Sequence, residues 1–218
     1  MGLSNRKILS LLFAVATALA QATAQAGNEP EKKDELGLVI GATVAPSQTL
    51  ASGISANPAS LTFTPSLALG AEFDRGLTAS QHLGILAGVD FLASPLDVKL
   101  DQRPVNAIPG YAYIFLTPHI RVKFHPKGAI SPWFLLGGGY TRYAESAPPG
   151  GLRAATNTGA LEFGGGIDTA PVRRVWKVPI GFRLEVRDFY TGQPNYNVPV
   201  SGNLQHNIVF TGGLLVGF

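Results

Sequence analysis

One thirteen-residue stretch, VPIGFRLEVRDFY (Val178 to Tyr190), limits the possible folds of this chain most sharply. Val178, Ile180, Phe182, Leu184 and Val186 share one parity, while Arg183, Glu185 and Arg187 share the other. A period of two belongs to an extended strand with two opposed faces, because successive side chains point to opposite sides of the pleat. One face here is apolar and the other ionic, so the strand must separate an apolar medium from a polar one.

The same alternation recurs along the chain. Leu36, Leu38, Ile40, Ala42 and Val44 form one face of LGLVIGATVA. In LTFTPSLALGAEF, Leu61, Phe63, Leu67, Leu69, Ala71 and Phe73 oppose Thr62, Thr64, Ser66 and Glu72. HLGILAGVDFL sets Leu83, Ile85, Ala87, Val89 and Phe91 against His82, Gly84, Gly88 and Asp90. YAYIFLTPHIRVKF sets Ile114, Leu116, Ile120, Val122 and Phe124 against Tyr113, Thr117, His119, Arg121 and Lys123. ALEFGGGIDT opposes Leu161, Phe163 and Ile167 to Glu162 and Asp168. In the final segment Ile208, Phe210, Leu214, Val216 and Phe218 oppose Asn207, Thr211, Gly213 and Gly217. WFLLGGGYTRY is mostly apolar, and alternation alone does not assign its faces. The total is about eight strands, each near or above the 9–11 residues that a tilted transmembrane strand needs.

Connections alternate in length. Long, Pro/Ser/Asn/Gly-rich ones fall at Pro46–Ser60, Ala93–Pro109, Ala144–Thr156 and Thr191–Asn203; shorter ones fall at Asp74–Gly76, His125–Ala129 and Ala170–Lys177. Short turns on one rim and long loops on the other fit a membrane barrel whose chain ends both lie on the short-turn side, facing the periplasm. Aromatic residues sort by rim too. Phe73, Phe124, Trp133, Trp176 and Phe218 lie at short-turn ends, and Phe91, Tyr111, Tyr113, Tyr143 and Tyr190 at long-loop ends. Two girdles at the lipid interfaces are the expectation. A secreted β-sandwich has the same period with its apolar face turned inward. Charged and glycine-rich inner faces, alternating loop lengths and a chain ending inside a strand favour the barrel.

The N-terminus supplies the address. Arg6 and Lys7 precede the apolar run ILSLLFAVATALA and the small-residue segment QATAQA. That is the order of a secretory signal peptide, with cleavage at Ala22-Thr23-Ala24 or Ala24-Gln25-Ala26. The apolar run is too short for a spanning helix of about 20 residues. The expected division is a cleaved signal over 1–26, a short periplasmic segment over 27–35 and a barrel over 36–218. Without Arg6 and Lys7, the 17 basic residues fall to 15 against 14 acidic ones, so the charge points to no nucleic acid. There is no cysteine, hence no disulfide and no lipid-modified cysteine anchor.

The signal peptide, the meander and the terminal GGLLVGF resemble small outer-membrane β-barrel proteins of the OmpA/OmpX type, over roughly Leu36 to Phe218. RLEVRDFY also resembles the penultimate strand of such barrels. The resemblance implies an all-β, transmembrane, antiparallel up-and-down barrel in the outer membrane of a Gram-negative-type bacterium, monomeric and in contact with outer-membrane lipid. It also implies that Ile208, Phe210, Leu214, Val216 and Phe218 form the signal read by the barrel-assembly machinery. No peptidoglycan-binding domain is expected after Phe218.

The ionic parity supplies the main site candidates: Glu72, Asp90, Arg121, Lys123, Glu162, Asp168, Arg183, Glu185 and Arg187. An eight-stranded barrel is only wide enough for its own side chains, and charges buried there must be paired. A mutually neutralising, non-enzymatic network is the first reading, with long surface loops serving envelope structure or interaction with a partner that the sequence does not name. A narrow ion path through the same residues is the second. His82, His119, His125 and His206 show no metal-ligand spacing, so no metal and no cofactor are expected. His206 invites comparison with lipid A deacylase barrels that carry a His/Ser pair on the outer wall. No serine adjoins it, and an interfacial polar residue is the simpler account. Gly137–Gly139 and Gly164–Gly166 lack the form of a phosphate loop and read as space for bulky neighbours within strands.

Overall fold

The computed structural model describes residues 34–51, 60–100, 106–147, 150–151, 155–175 and 178–218. The expected signal peptide and the 27–33 part of the segment after it lie outside the described residues, as does Trp176. Eleven strands follow in chain order: β1 (Glu35–Val44), β2 (Gln48–Thr49), β3 (Ser60–Leu61), β4 (Ser66–Ala79), β5 (Leu83–Lys99), β6 (Gly110–Phe124), β7 (Ile130–Glu145), β8 (Ala155–Thr169), β9 (Arg173–Val175), β10 (Val178–Gly192) and β11 (Leu204–Gly217).

The long strands pair antiparallel with their neighbours in the order β1, β4, β5, β6, β7, β8, β10, β11, and β11 returns to pair with β1. An eight-stranded ring therefore closes with no free edge, which excludes the two-sheet sandwich. At the seam, Leu38 faces Leu214 and Ala42 faces Phe210 across ten residue pairs. Asp34 and Phe218 extend it by exchanging both backbone hydrogen bonds at 2.9 Å. β1 thus starts at Glu35, one residue before the expected barrel boundary at Leu36.

Parity separates the two faces. Leu38, Leu69, Phe91, Leu136, Phe163 and Leu184, each on a different strand, are exposed on the outer wall. The final-strand residues Ile208, Phe210, Leu214, Val216 and Phe218 share that outward parity, while Asn207 and Thr211 are buried inside. The unassigned segment now has faces: Trp133, Leu135, Thr141 and Tyr143 point inward, and Phe134 and Leu136 outward.

The connection expected from Ala93 starts later, because β5 runs on to Lys99, and three further expectations change. The first tight turn is not at Asp74–Gly76. β4 runs on to Ala79, and the turn lies at Ser80–His82, where the Ser80 hydroxyl accepts from the Leu83 N–H at 3.0 Å. The Asp-Arg-Gly composition suggested a loop, but Asp74 keeps the inward parity of Glu72 and has ionic partners there. A register shift between Gly76 and Thr78 then bends the strand end.

Secondly, Leu61 and Phe63 do not begin a lipid-facing strand. Leu61 lies in the β2–β3 hairpin and is fully buried, with Phe63 packed against the same cluster. Thirdly, four girdle aromatics face inward. Trp133, Tyr111, Tyr113 and Tyr143 are buried in the lumen, whereas Phe91, Phe124 and Phe218 are exposed outside. Tyr and Trp carry a polar atom that needs a partner when buried, and the lumen supplies one for each.

Candidate functional site

The lumen has two chemically distinct layers. The layer towards the short turns is ionic. All nine charged residues expected on the inner face are buried there, and they meet from five different strands. Glu35, Asp74 and His119 join them, three residues that the sequence reading left out of the charge set.

Arg183 and Arg187 organise the layer from β10, two turns of the pleat apart on one face. Arg183 grips Asp168 in a two-point contact, Nε to Oδ1 and Nη2 to Oδ2, both at 2.8 Å. Its Nη1 donates to Glu72 at 2.5 Å. Arg187 Nη1 donates to Asp90 at 2.8 Å and to Glu162 at 3.0 Å. Its Nη2 lies 3.0 Å from Glu72 and 2.8 Å from Glu185. Arg121 donates to Glu72 at 3.0 Å and also to Asp74. Lys123 reaches Glu35 at 2.6 Å and Asp168 at 2.8 Å. The fixed fork of guanidinium donors suits such multi-point carboxylate contacts, which single ammonium groups cannot reproduce.

Trp133 completes the layer. Its indole N–H donates to Asp168 at 3.0 Å, and the Arg121 guanidinium lies 4.3 Å from the ring centroid. This is a buried cation–π contact, which is stronger without competing water. Glycines make room for these large groups. A Cβ on Gly88 would come within 2.5 Å of Asp74 Oδ1 and 2.8 Å of His119 Cε1, and one on Gly137 within 2.7 Å of His119 Cβ.

The layer towards the long loops is tyrosine-rich and apolar. Phe115 stacks on Phe189 with centroids 4.3 Å apart, and Tyr111 meets Tyr143 edge-on at 5.3 Å. Leu50, Leu61, Leu100 and Ile108 from the long connections pack over these rings. Tyr196, from the connection after β10, enters the same cluster and donates to Gln205, whose amide donates to Tyr111 at 2.7 Å and to Asn207 at 2.8 Å. Burial keeps the Tyr196 phenol well above its ordinary pKa, so it remains a neutral donor. The described loop residues therefore pack into the barrel mouth over the ring cluster.

His206 lies on the outer wall, as its parity implies. Its Nδ1 is 2.5 Å from Asp188 and its ring 4.6 Å from that of Tyr190. Tyr190 is its cross-strand partner, and Leu204 and Ile208 flank it on the same face. The pair could orient an imidazole, but these neighbours offer no serine or threonine for a histidine to activate.

No family model matches the chain, and no curated relative matches it. The fold is similar to that of the neisserial surface protein A (NspA) crystal structure, with TM-score 0.50 and 12% identity, covering 87% of this chain and 100% of that one. It is also similar to Ail, the attachment invasion locus protein of Yersinia pestis, in complex with the heparin analogue sucrose octasulfate. There the TM-score is 0.45 and identity 12%, over 85% of this chain and 99% of that one. The fold is that of the small eight-stranded outer-membrane β-barrels of the OmpA/OmpX type.

Proposed function

We propose that this chain is an integral outer-membrane protein, non-enzymatic and monomeric, whose barrel is a closed support for its long loops. The observation that carries this reading is the inversion of the two faces. The exposed wall is apolar around the whole ring, and the buried interior holds interlocked arginines and carboxylates. Such a wall is stable against hydrocarbon and would aggregate in water. The loop end and its partners are the working surface, because loops on a rigid barrel can vary without disturbing the wall.

The five outward residues of the last strand, Ile208, Phe210, Leu214, Val216 and Phe218, are proposed as the segment recognised during barrel assembly. All five lie on the lipid-facing parity beside the β1 seam. Envelope fractionation with a heat-modifiability gel tests the whole reading. The chain should partition with the outer membrane and migrate differently before and after boiling. A soluble chain, or one whose mobility does not change, would refute it. Replacing Phe210 and Phe218 together by Ala should lower the folded, membrane-inserted amount several-fold; unchanged amounts would remove the assembly role.

A further inference from the structure

We propose that Asp90, His119 and Glu162 form a binding site within the lumen for one divalent transition cation of the zinc class. The three residues come from β5, β6 and β8, so no local spacing reveals them. Their ligand atoms, one from each residue, lie within 4.8 Å of one another, and all three residues are buried. Zinc holds nitrogen and oxygen donors tetrahedrally at about 2.0–2.2 Å, which places them roughly 3.3–3.6 Å apart. A closure of the cluster by about an ångström meets that spacing.

The orientation of His119 is the stronger argument. Its Nε2 is 2.8 Å from Asp74 Oδ1, and Asp74 is itself held by Arg121. A carboxylate in that position accepts the Nε2 proton, so a cation that displaces the proton from Nδ1 meets a bare nitrogen there. A carboxylate behind a ligating histidine is the usual outer partner in metal centres. Nδ1 then faces Asp90 Oδ2 at 3.2 Å, outside hydrogen-bond geometry. Asp90 Oδ1 is buried with no hydrogen-bond partner. His119 Nδ1 and Asp90 Oδ1 are thus two buried atoms without a hydrogen-bond partner, and they lie beside Glu162, whose oxygens are held by Arg187 and Thr117.

Charge balance points the same way. The described inner face carries seven carboxylates in the ionic layer: Glu35, Glu72, Asp74, Asp90, Glu162, Asp168 and Glu185. Against them stand Arg121, Lys123, Arg183 and Arg187, with His119 as the one further basic group. Arg187 already bridges Asp90 and Glu162, yet with every carboxylate ionised negative charge stays in excess even beside a protonated imidazole. A divalent ion reduces that excess more than a proton on Nδ1 does. One imidazole nitrogen with two carboxylates favours zinc-class ions over calcium or magnesium, which prefer all-oxygen shells.

This site goes beyond the barrel reading, and its test separates the two. The full chain is refolded in detergent, shown by heat-dependent mobility to be a barrel, stripped with chelator and desalted after exposure to Co²⁺ or Zn²⁺. The expected result is one metal retained per chain, with visible cobalt absorption bands that Zn²⁺ abolishes. His119→Asn should weaken binding at least about tenfold while keeping the heat-dependent mobility shift. His82→Ala with His125→Ala should retain the metal, which excludes the exposed pair of histidines. Glu162→Gln serves as a second ligand variant if His119→Asn does not fold. A folded wild-type chain that retains no cobalt overturns the proposal and leaves a protonated His119 as the account of the cluster. Retention that survives the ligand substitutions overturns it equally.

Discussion

Arg187 shows how much can depend on one side chain in this lumen. Its guanidinium lies within 3.0 Å of oxygens on Glu72, Asp90, Glu162 and Glu185, four residues on three other strands and its own. Arg187→Leu would leave those carboxylates facing one another away from water. The expected cost is about 3–5 kcal/mol, the range for breaking a buried ion pair by removing one partner. Urea unfolding of the refolded barrel measures it. Arg75→Leu is the control: Arg75 is partly exposed, 3.9 Å from Asp34, and should cost under about 1 kcal/mol. Gly88→Ala probes the space between Asp74 and His119, where an added Cβ meets both side chains below 3 Å. Overpacking of this kind is expected to cost about 1–3 kcal/mol in the same assay. The nine charged lumen residues were legible as a set because parity is visible in sequence. Their partners were not, since alternation specifies the face of a strand and carries no information about depth or opposing strands. Asp74 reads as part of a turn in the sequence, and His119, though on the polar face with Arg121 and Lys123, stays outside the ionic set, although each shares the parity of a recognised ion.

At the scale of the strand, the alternating pattern carries an energetic asymmetry that can be measured. Leu184 on β10 is 59% exposed, flanked on its face by Phe182 and Val186. Leu184→Arg places a charge on the hydrocarbon side, and near mid-bilayer this should destabilise the barrel by about 2–4 kcal/mol. Refolding yield and urea midpoint in lipid vesicles are the readouts. An equal effect for Leu204→Arg, placed at the start of β11, would contradict the assigned depth, because charges near the interface cost little. Strands such as β10 and β11 are readable because the outer face of each is apolar along most of its length, even though Phe189, Val209 and Leu215 are apolar on the inner face. β7 is not. Trp133, Tyr143 and the glycines between them fit lipid, interface or lumen, and only hydrogen bonding decides. The Trp133 indole finds Asp168 and the Tyr143 hydroxyl finds Thr191, both inside. The end of β4 was unreadable for another reason. Asp-Arg-Gly is common in turns, but backbone pairing with β5 and the ionic partners of Asp74 outweigh that local preference.

For the whole molecule, two seals of different chemistry stand in series across the lumen. The ionic layer blocks it with interlocked side chains, and the Tyr111, Tyr143, Tyr196 cluster blocks the loop end with apolar packing. An eight-stranded ring leaves no width to spare once these side chains are in place. A continuous ion path would require both layers to open together. The wild-type barrel in a planar bilayer is therefore expected to show no discrete conductance steps. Tyr196→Ala loosens the upper seal alone and should remain silent, because the arginine–carboxylate layer below is untouched. Replacing Arg187 and Glu72 together by Ala should likewise remain silent, since Phe115, Phe189 and the tyrosines still close the mouth. Combining all three substitutions should give measurable steps if the refolded chain still shows its heat-dependent mobility. Conductance in the wild-type chain, or in either single-layer variant, would mean that the layers do not act as independent barriers and would favour the transport reading of the same fold.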